Sequence, residues 1–178
     1  MIKTLPNRQS IRLKNYDYSI PGYYFITICT HNRIHRFGDI VGCQMQMNHF
    51  GEIVLQQWNK LPQQYTHIQL DQFILMPNHI HGLFQIIDHG IRAGEILGAF
   101  KSLCVHHCLK WIQSNNPSFH MGRLWQRNFW KHIVRDEIEL HQLREYIINN
   151  PMKWDNDEFN GGVENIVIEE SQVVRKYD

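Results

Sequence analysis

Residues 76–84, with the sequence MPNHIHGLF, join a loop to an apolar, β-prone run that carries two histidines two positions apart. Side chains alternate between the two faces of a β-strand, so we expect His79 and His81 to lie on the same face. Two neutral imidazoles side by side form half of a site for a divalent cation, and each ring can be oriented through its second nitrogen. A hydrogen-bonded, half-buried histidine pair without a metal is the alternative interpretation.

A second group of functional side chains lies at the end of the last predicted helix, residues 136–150, which Pro151 closes. Tyr146 and Asn150 are four residues apart and therefore share one face of that helix. Taken alone, Tyr146 could equally be a core residue with a solvated hydroxyl. Together the two segments provide two imidazoles, an amide oxygen and a phenol, a set of groups that is able to cut a phosphodiester.

The rest of the chain shows strands with helices between them, too few for a parallel, doubly wound sheet. This pattern predicts an α+β sandwich, in which helices pack on an antiparallel sheet. The predicted strands are residues 23–30, 68–75 and 80–87, with a short one near 37–41, and the other predicted helices are residues 51–61 and 93–113.

Four blocks of sequence follow one another with compatible spacing, which is more specific than any one motif. They are YFITICTHNR at 24–33, FILMPNHIH at 73–81, LWQRNFWKHIVR at 124–135 and YIINNP at 146–151. In this order the blocks resemble the REP-associated tyrosine transposases, members of the HUH single-tyrosine (IS200-like) transposase superfamily. The resemblance covers roughly residues 20–155 and implies a ferredoxin-like fold for them.

The resemblance also implies a site and a reaction. It places the metal-binding histidine pair at His79 and His81, the nucleophile at Tyr146, and a further metal ligand at Asn150, one helical turn later. The implied product is a 5′-phosphotyrosine with a free 3′-hydroxyl, so that the same chemistry can rejoin strands. The implied metal is Mg²⁺ or Mn²⁺, although imidazole ligands suit zinc, manganese, nickel or copper better than magnesium.

Charge patterning bears on the expected partner, single-stranded or hairpin DNA. A net charge of +1 and a pI of about 7.8 provide no global basic field, so DNA affinity must come from local patches. The segment 123–135 interleaves cations with aromatic rings, a combination that binds phosphates and stacks on unpaired bases. Core packing is the alternative for its tryptophans, and a solvated helix face is the alternative for Lys101. The candidate DNA-binding residues are Lys101, Arg123, Trp125, Arg127, Lys131 and Arg135.

With 178 residues and 43% hydrophobic content, the chain can bury one sizeable core. We expect a basic arm at 1–19, a catalytic domain at 20–155 and an acidic tail at 156–178, which could form a strand or cover the basic groove. The sequence has no apolar run near 18 residues and no apolar signal-peptide centre. A cytoplasmic protein without membrane contact is therefore expected, and monomer and homodimer both remain open.

Three functions compete at this stage. The first is a metal-dependent transposase that cleaves and transfers DNA strands through Tyr146. The second is a domesticated protein that binds hairpin DNA without cutting it, and the third is a metal-dependent hydrolase with a water nucleophile, for which Tyr146 would be dispensable. The presence of His79, His81 and Tyr146 together favours the enzyme with the tyrosine nucleophile.

Overall fold

The structure is a computed structural model and describes residues 20–160, so the predicted basic arm and most of the predicted acidic tail lie outside the described residues. Its strands are β1 (Gly22–Cys29), β2 (Gly38–Val41), β3 (Gln44–Met47), β4 (Ile68–Met76), β5 (His79–Ile86) and β6 (Trp130–Ile133). Its α-helices are α1 (His49–Asn59), α2 (Leu61–Gln64), α3 (Ala93–Asn115) and α4 (Glu137–Asn149), with 3₁₀ helices at His31–Arg33 and Pro151–Asn156.

One antiparallel sheet with the strand order β4-β5-β1-β6 organises the described part of the chain. Leaving out the small β2-β3 hairpin, α2 and the final helix α4, the chain runs β1, α1, β4, β5, α3, β6, which is the ferredoxin-like βαββαβ arrangement. The prediction of an α+β sandwich with helices packed on an antiparallel sheet is therefore confirmed.

The two faces of the sheet are covered by different helices. On one face, Ile26 and Phe84 pack with α1 and α3 in a large core. On the other face, Phe25 and Leu83 pack with Leu140 and Ile147 of α4 in a smaller core. Because successive side chains of a strand point to opposite faces, the odd-numbered residues of β1 and β5 face α4.

Local hydrogen bonds explain where the helices begin. Asn48 caps α1 by accepting from the backbone N–H groups of Phe50 and Gly51 at 3.0 and 3.1 Å, so the helix begins two residues before the predicted position. Asp136 caps α4 by accepting from the N–H of Glu139 at 2.8 Å, as expected from its place before an amphipathic run.

Two short strands, β3 and β6, were not predicted from the sequence. Each has four residues, and neither shows a clear alternation of buried and exposed side chains. Their pairing with β2 and β1 depends on tertiary contacts rather than on local preference.

Gly82 lets a large aromatic residue approach β5 from the α1 face. A Cβ atom at Gly82 would lie 2.5 Å from the indole ring of Trp58, which is closer than atoms can pack. Trp58 is buried and stacks on Phe73, so the indole has no free space into which to move. The absence of a side chain at Gly82 therefore sets how closely the helical layer sits behind the histidine strand.

Candidate active site

His79 and His81 lie side by side at the start of β5, on the face that is covered by α4. Their Nε2 atoms are 3.1 Å apart, and both residues are almost completely buried. The expected placement of the two imidazoles on one face of a strand is confirmed. Burial lowers the pKa of His79 well below its usual value and lowers that of His81 to about 3, so both rings are neutral at physiological pH.

Asn78 fixes the tautomer of His79. Its amide nitrogen donates to the backbone oxygens of Arg33 and Phe159 at 2.9 and 2.7 Å, which leaves Oδ1 to face His79 Nδ1 at 2.8 Å. Because an amide oxygen only accepts, His79 carries its proton on Nδ1. The lone pair of His79 Nε2 therefore points into the site.

Thr27 supports His81 in a more adaptable way. Its Oγ1 lies 2.8 Å from His81 Nδ1, and a hydroxyl can either donate or accept. Since His79 Nε2 bears no proton, the contact between the two Nε2 atoms is made by a proton on His81, and Thr27 then donates to His81 Nδ1. If His81 Nε2 were to bind a cation, the ring proton would have to sit on Nδ1. The Nδ1–H group would then donate a hydrogen bond to the Thr27 hydroxyl oxygen.

Tyr146, on α4, brings its hydroxyl to the histidine pair. The Oη atom is 3.3 Å from His81 Nε2, and the ring contacts His81 and Phe25 edge-on. Burial raises the pKa of the phenol, and the nearby Asp157 carboxylate adds to this, while a hydrogen bond with the Asn150 side chain opposes it. The phenol is therefore protonated at neutral pH and needs assistance to act as a nucleophile.

Asn150 presents a buried oxygen without a hydrogen-bond partner. The residue is 2% exposed, and its Oδ1 is unpaired. A buried amide oxygen without a partner costs free energy unless a ligand satisfies it. Two imidazole nitrogens and one amide oxygen suit a divalent cation and leave coordination positions for water or phosphate oxygen. Within residues 20–160 no three His, Cys, Asp or Glu side chains group to hold a metal, so the candidate cation site depends on Asn150.

A turn at residues 157–160, within the predicted acidic tail, covers one side of the histidine pair. The Phe159 ring lies 4.6 Å from the His79 ring, between centroids, and the Arg33 guanidinium lies 4.9 Å from the Phe159 centroid. Arg33 also donates to the backbone oxygen of Glu158 at 2.7 Å. Beside this turn a cleft of about 520 Å³ opens to solvent and reaches Tyr146 and His81.

Several candidate DNA-binding residues lie around a second cleft, of about 1120 Å³, which includes Lys101, Arg123 and Arg127 in its lining. Arg123 and Arg127 are exposed. Lys101 instead holds the loop, because its Nζ donates to the backbone oxygens of Gln126 and Arg127 at 2.6 and 3.2 Å. Both clefts include Gln126 in their lining, so one groove can continue into the other.

The remaining candidates have other surroundings. Trp125 is 4% exposed, and its ring contacts Phe37 and Phe100 at tilted angles, so little of the indole is accessible for stacking on a base. Lys131 pairs with Ile26 across the sheet and lies on the face opposite Tyr146. Arg135 is exposed just before α4, where its N–H donates to Glu139.

Two residues at the site, Thr27 and Asn78, escaped the sequence analysis as functional candidates, and a third, Trp130, was considered only as one of the aromatic rings of the segment 123–135. Asn78 directly precedes the first histidine, so its position alone could have indicated a supporting role. Thr27 supports His81 only because β1 and β5 pair in a particular register, which the sequence does not reveal. Trp130 lies on the unpredicted strand β6.

No helix within residues 20–160 is long and apolar enough to span a bilayer.

Comparison with known proteins shows which family this chain resembles. An uncharacterized protein of Haemophilus influenzae is 38% identical over 173 residues, covering 85% of this chain and 92% of that protein. A second protein of that organism, whose name assigns it to the REP-associated tyrosine transposases, is 26% identical over 147 residues, covering 79% of this chain and 77% of that protein.

A solved structure shares the fold. The structure of a REP-associated tyrosine transposase bound to a REP hairpin superposes with a TM-score of 0.57 at 18% identity, covering 80% of this chain and 74% of that one. Residues 22–150 match the family described as "Transposase IS200 like", a stretch that includes β1, the histidine pair and Tyr146. The chain belongs to the family of IS200-like transposases.

Proposed function

We propose that this transposase cuts and rejoins single-stranded DNA, with Tyr146 as nucleophile and a divalent cation, Mg²⁺ or Mn²⁺, held by His79, His81 and Asn150. The observation that carries the proposal is the distance of 3.3 Å between Tyr146 Oη and His81 Nε2 at the end of an open cleft. A cation bound there would polarise the scissile phosphate and stabilise negative charge on its oxygens.

The residues themselves set the geometry of the reaction. Asn78 and Thr27 hold the imidazoles so that both Nε2 atoms face one point. Tyr146 Oη forms the new bond to phosphorus as the bond from phosphorus to the 3′ oxygen breaks; the phenol loses its proton and the 3′ oxygen gains one. The 5′-phosphotyrosine retains the energy of the original ester, so attack by a 3′-hydroxyl reverses the step.

For the substrate we propose a DNA hairpin with an unpaired flank. The support is the hairpin held by the structurally similar transposase, together with the exposed Arg123 and Arg127 along the second cleft. Arginines bind phosphate oxygens in two-pronged fashion and so fix DNA without reading its sequence. One copy of the chain supplies His79, His81 and Tyr146, so the proposed reaction requires no second copy. We propose the cytoplasm as the place where the reaction occurs.

The test is the formation of a covalent adduct. Labelled hairpin DNA from the flanks of the gene is incubated with wild-type, Tyr146→Phe or Tyr65→Phe protein, in Mn²⁺, Mg²⁺ or EDTA, and resolved on a denaturing gel. We expect a protease-sensitive adduct with the wild type and with Tyr65→Phe, which alters a tyrosine packed in the large core. We expect none with Tyr146→Phe or in EDTA. Cleavage that persists in Tyr146→Phe would mean that water is the nucleophile.

A hairpin-binding protein that does not cut DNA is the second candidate. The observation that favours it is the Phe159 ring, whose centroid lies 4.6 Å from that of His79 and occupies part of the approach to the histidine pair. Retarded DNA in a native gel, without an adduct under any metal condition, would establish this second function.

A further inference from the structure

We infer that the exposed face of Trp130 is a stacking platform for one unpaired nucleobase, adjacent to the phosphate that Tyr146 attacks. This inference rests on the proposed function and identifies the part of the substrate that enters the cleft. It concerns a residue on the unpredicted strand β6, at the edge of the sheet.

Strand register places Trp130 in line with the active site. Trp130 pairs with Thr27, and Thr27 pairs with His81, so the three residues form one row across β6, β1 and β5. Paired residues of neighbouring strands point to the same face, so all three face α4. Two strand spacings separate Trp130 from His81, about 10 Å between backbones. A base attached next to a phosphate at His81 can therefore reach the indole.

The indole is held in place before any ligand arrives. The His132 ring stacks on it at 5.6 Å between centroids with planes 5° apart, and Glu139 fixes His132 through a contact of 2.7 Å to Nε2. Phe25 contacts Trp130 edge-on at 5.6 Å. Despite these contacts Trp130 is 45% exposed. A ring that is already ordered loses little conformational entropy when a second ring stacks on it.

Aromatic rings dominate the lining of the cleft of about 520 Å³, and the Arg33 guanidinium in that lining is already engaged by the Phe159 ring and the backbone oxygen of Glu158. Phe25, Phe129, Trp130 and Phe159 contribute aromatic rings to it. Such rings attract the π-face of any nucleobase, whereas phosphates require cations and N–H donors. Gln126 and Asn128 also line the cleft, and their amide groups can both donate to and accept from the edge of a base.

Of the two tryptophans in the aromatic segment 123–135, the structure favours Trp130 over Trp125 for base stacking. Trp125 is 4% exposed and contacts Phe37 and Phe100, whereas Trp130 is 45% exposed and lines the same cleft as Tyr146. Stacking on an aromatic side chain contributes roughly 5- to 150-fold in affinity for each base. Trp130 should consequently affect one nucleotide of the substrate and no other.

The experiment combines a protein substitution with an abasic scan. Hairpin DNA is prepared with a single abasic site at each position within several nucleotides of the cleavage site. Adduct formation is measured for the wild type, Trp130→Ala and Trp130→Phe. Affinity is measured by fluorescence anisotropy for the same three side chains at position 130 in a Tyr146→Phe background, which cannot form the adduct.

We expect one abasic position to weaken binding by roughly 5- to 150-fold when Trp130 is present. With Trp130→Ala, intact DNA should bind as weakly as that abasic DNA, and the abasic site should cause little further loss. Trp130→Phe should retain most of the affinity and the sensitivity to that position. The other abasic positions serve as controls and should act equally on all three proteins.

The inference is overturned if no abasic position loses its effect in Trp130→Ala, provided that the thermal unfolding midpoint of the variant matches the wild type. If the thermal unfolding midpoint of Trp130→Ala is lowered, Trp130→Phe and the abasic scan with Trp130 present decide the question. A base that does not stack on Trp130 would leave the affinity unchanged at every abasic position. If the wild type forms no adduct, the proposed function fails, yet the anisotropy series still tests the platform. Absence of any DNA binding overturns both.

Discussion

Asn78 and Thr27 hold His79 and His81 through the same ring nitrogen, Nδ1, yet they leave the two rings with different freedom. The Asn78 amide is locked by two backbone oxygens, so the His79 lone pair is always directed at the site. The Thr27 hydroxyl can reverse its hydrogen bond, which allows His81 to exchange its proton for a cation. For the proposed cation, the pair would thus join one fixed ligand to one adaptable ligand.

We predict that the affinity for Mn²⁺ depends on the Thr27 hydroxyl. Thr27→Val, which keeps the shape but removes the hydroxyl, should weaken Mn²⁺ binding by roughly 10- to 100-fold, since outer-sphere partners of ligating histidines typically contribute that much. Thr27→Ser, the matched control, should retain the affinity. The measurement is Mn²⁺ titration followed by electron paramagnetic resonance. Equal affinities for Val and Ser would show that the hydroxyl does not orient His81.

Individual residues also differ in how far their placement could be predicted from the sequence. The histidine pair could be predicted because alternation along a strand is local, and the Tyr146 and Asn150 pair could be predicted because helical spacing is local. The contact between the two pairs was inferred only from the resemblance, since it spans 65 positions of the chain. The burial of Trp125 could not be predicted, because a tryptophan among cations has the same local pattern whether buried or exposed.

Helix α4 carries Tyr146, the proposed nucleophile, and a charged pair ties the helix to the sheet. Arg144 Nε donates to Asp71 Oδ1 at 3.0 Å, and a second nitrogen of Arg144 contacts the other carboxylate oxygen. The hydrogen bond to Asp71 raises the pKa of Arg144. Since Arg144 is two residues from Tyr146, the two-pronged contact fixes the position of Tyr146 along β4.

We therefore predict that Asp71→Asn slows adduct formation without weakening metal binding. A small displacement of a reacting group can reduce the rate roughly 10- to 100-fold. The stability should fall by no more than about 1 kcal/mol, because the charged groups are partly exposed. Single-turnover adduct kinetics and Mn²⁺ titration separate the two effects. Glu52→Gln, which removes an exposed partner of His49 on α1, is the control and should change neither. A parallel loss of Mn²⁺ affinity in Asp71→Asn would contradict this role.

Elements differed in how far the sequence could specify them. Helices α1 and α4 could be predicted because a capping residue and an apolar periodicity agree in each. Strand β6 could not, since its four residues WKHI include only one β-branched residue and pair on one side only. The missed strand concealed the alignment of Trp130 with Thr27 and His81.

On the scale of the whole molecule, the sheet separates a structural face from a chemical face. His79 and His81 are the buried histidines within residues 20–160, and both lie on the face under α4. Burial of neutral imidazoles couples the active site to the stability of the fold. Their folded pKa values lie below 6.5, so as the pH falls the unfolded chain takes up protons first.

We predict that the metal-free protein loses stability as the pH falls from about 6.5 toward 3. The stabilisation from each neutral imidazole is complete above pH 6.5 and should fall by about 2 kcal/mol by pH 5. Urea unfolding in EDTA at pH 7, 6 and 5 measures the loss. His81→Gln should remove about half of the dependence, because His79 remains, whereas His89→Gln, at an exposed position, should preserve all of it. A wild-type curve as flat as that of His81→Gln would refute the coupling.

The close approach of Trp58 to Gly82 has a consequence for how this enzyme could be disabled. Residue 82 follows His81 directly, and the indole already fills the space that a methyl group at Gly82 would need. Gly82→Ala would add one methyl group on the face of the sheet that packs on α1 and would push β5 away from that helix. Both imidazoles should tilt as a result, although no side chain on the other face of the sheet would be changed chemically. Inspection of the exposed surface alone would not reveal such a lesion.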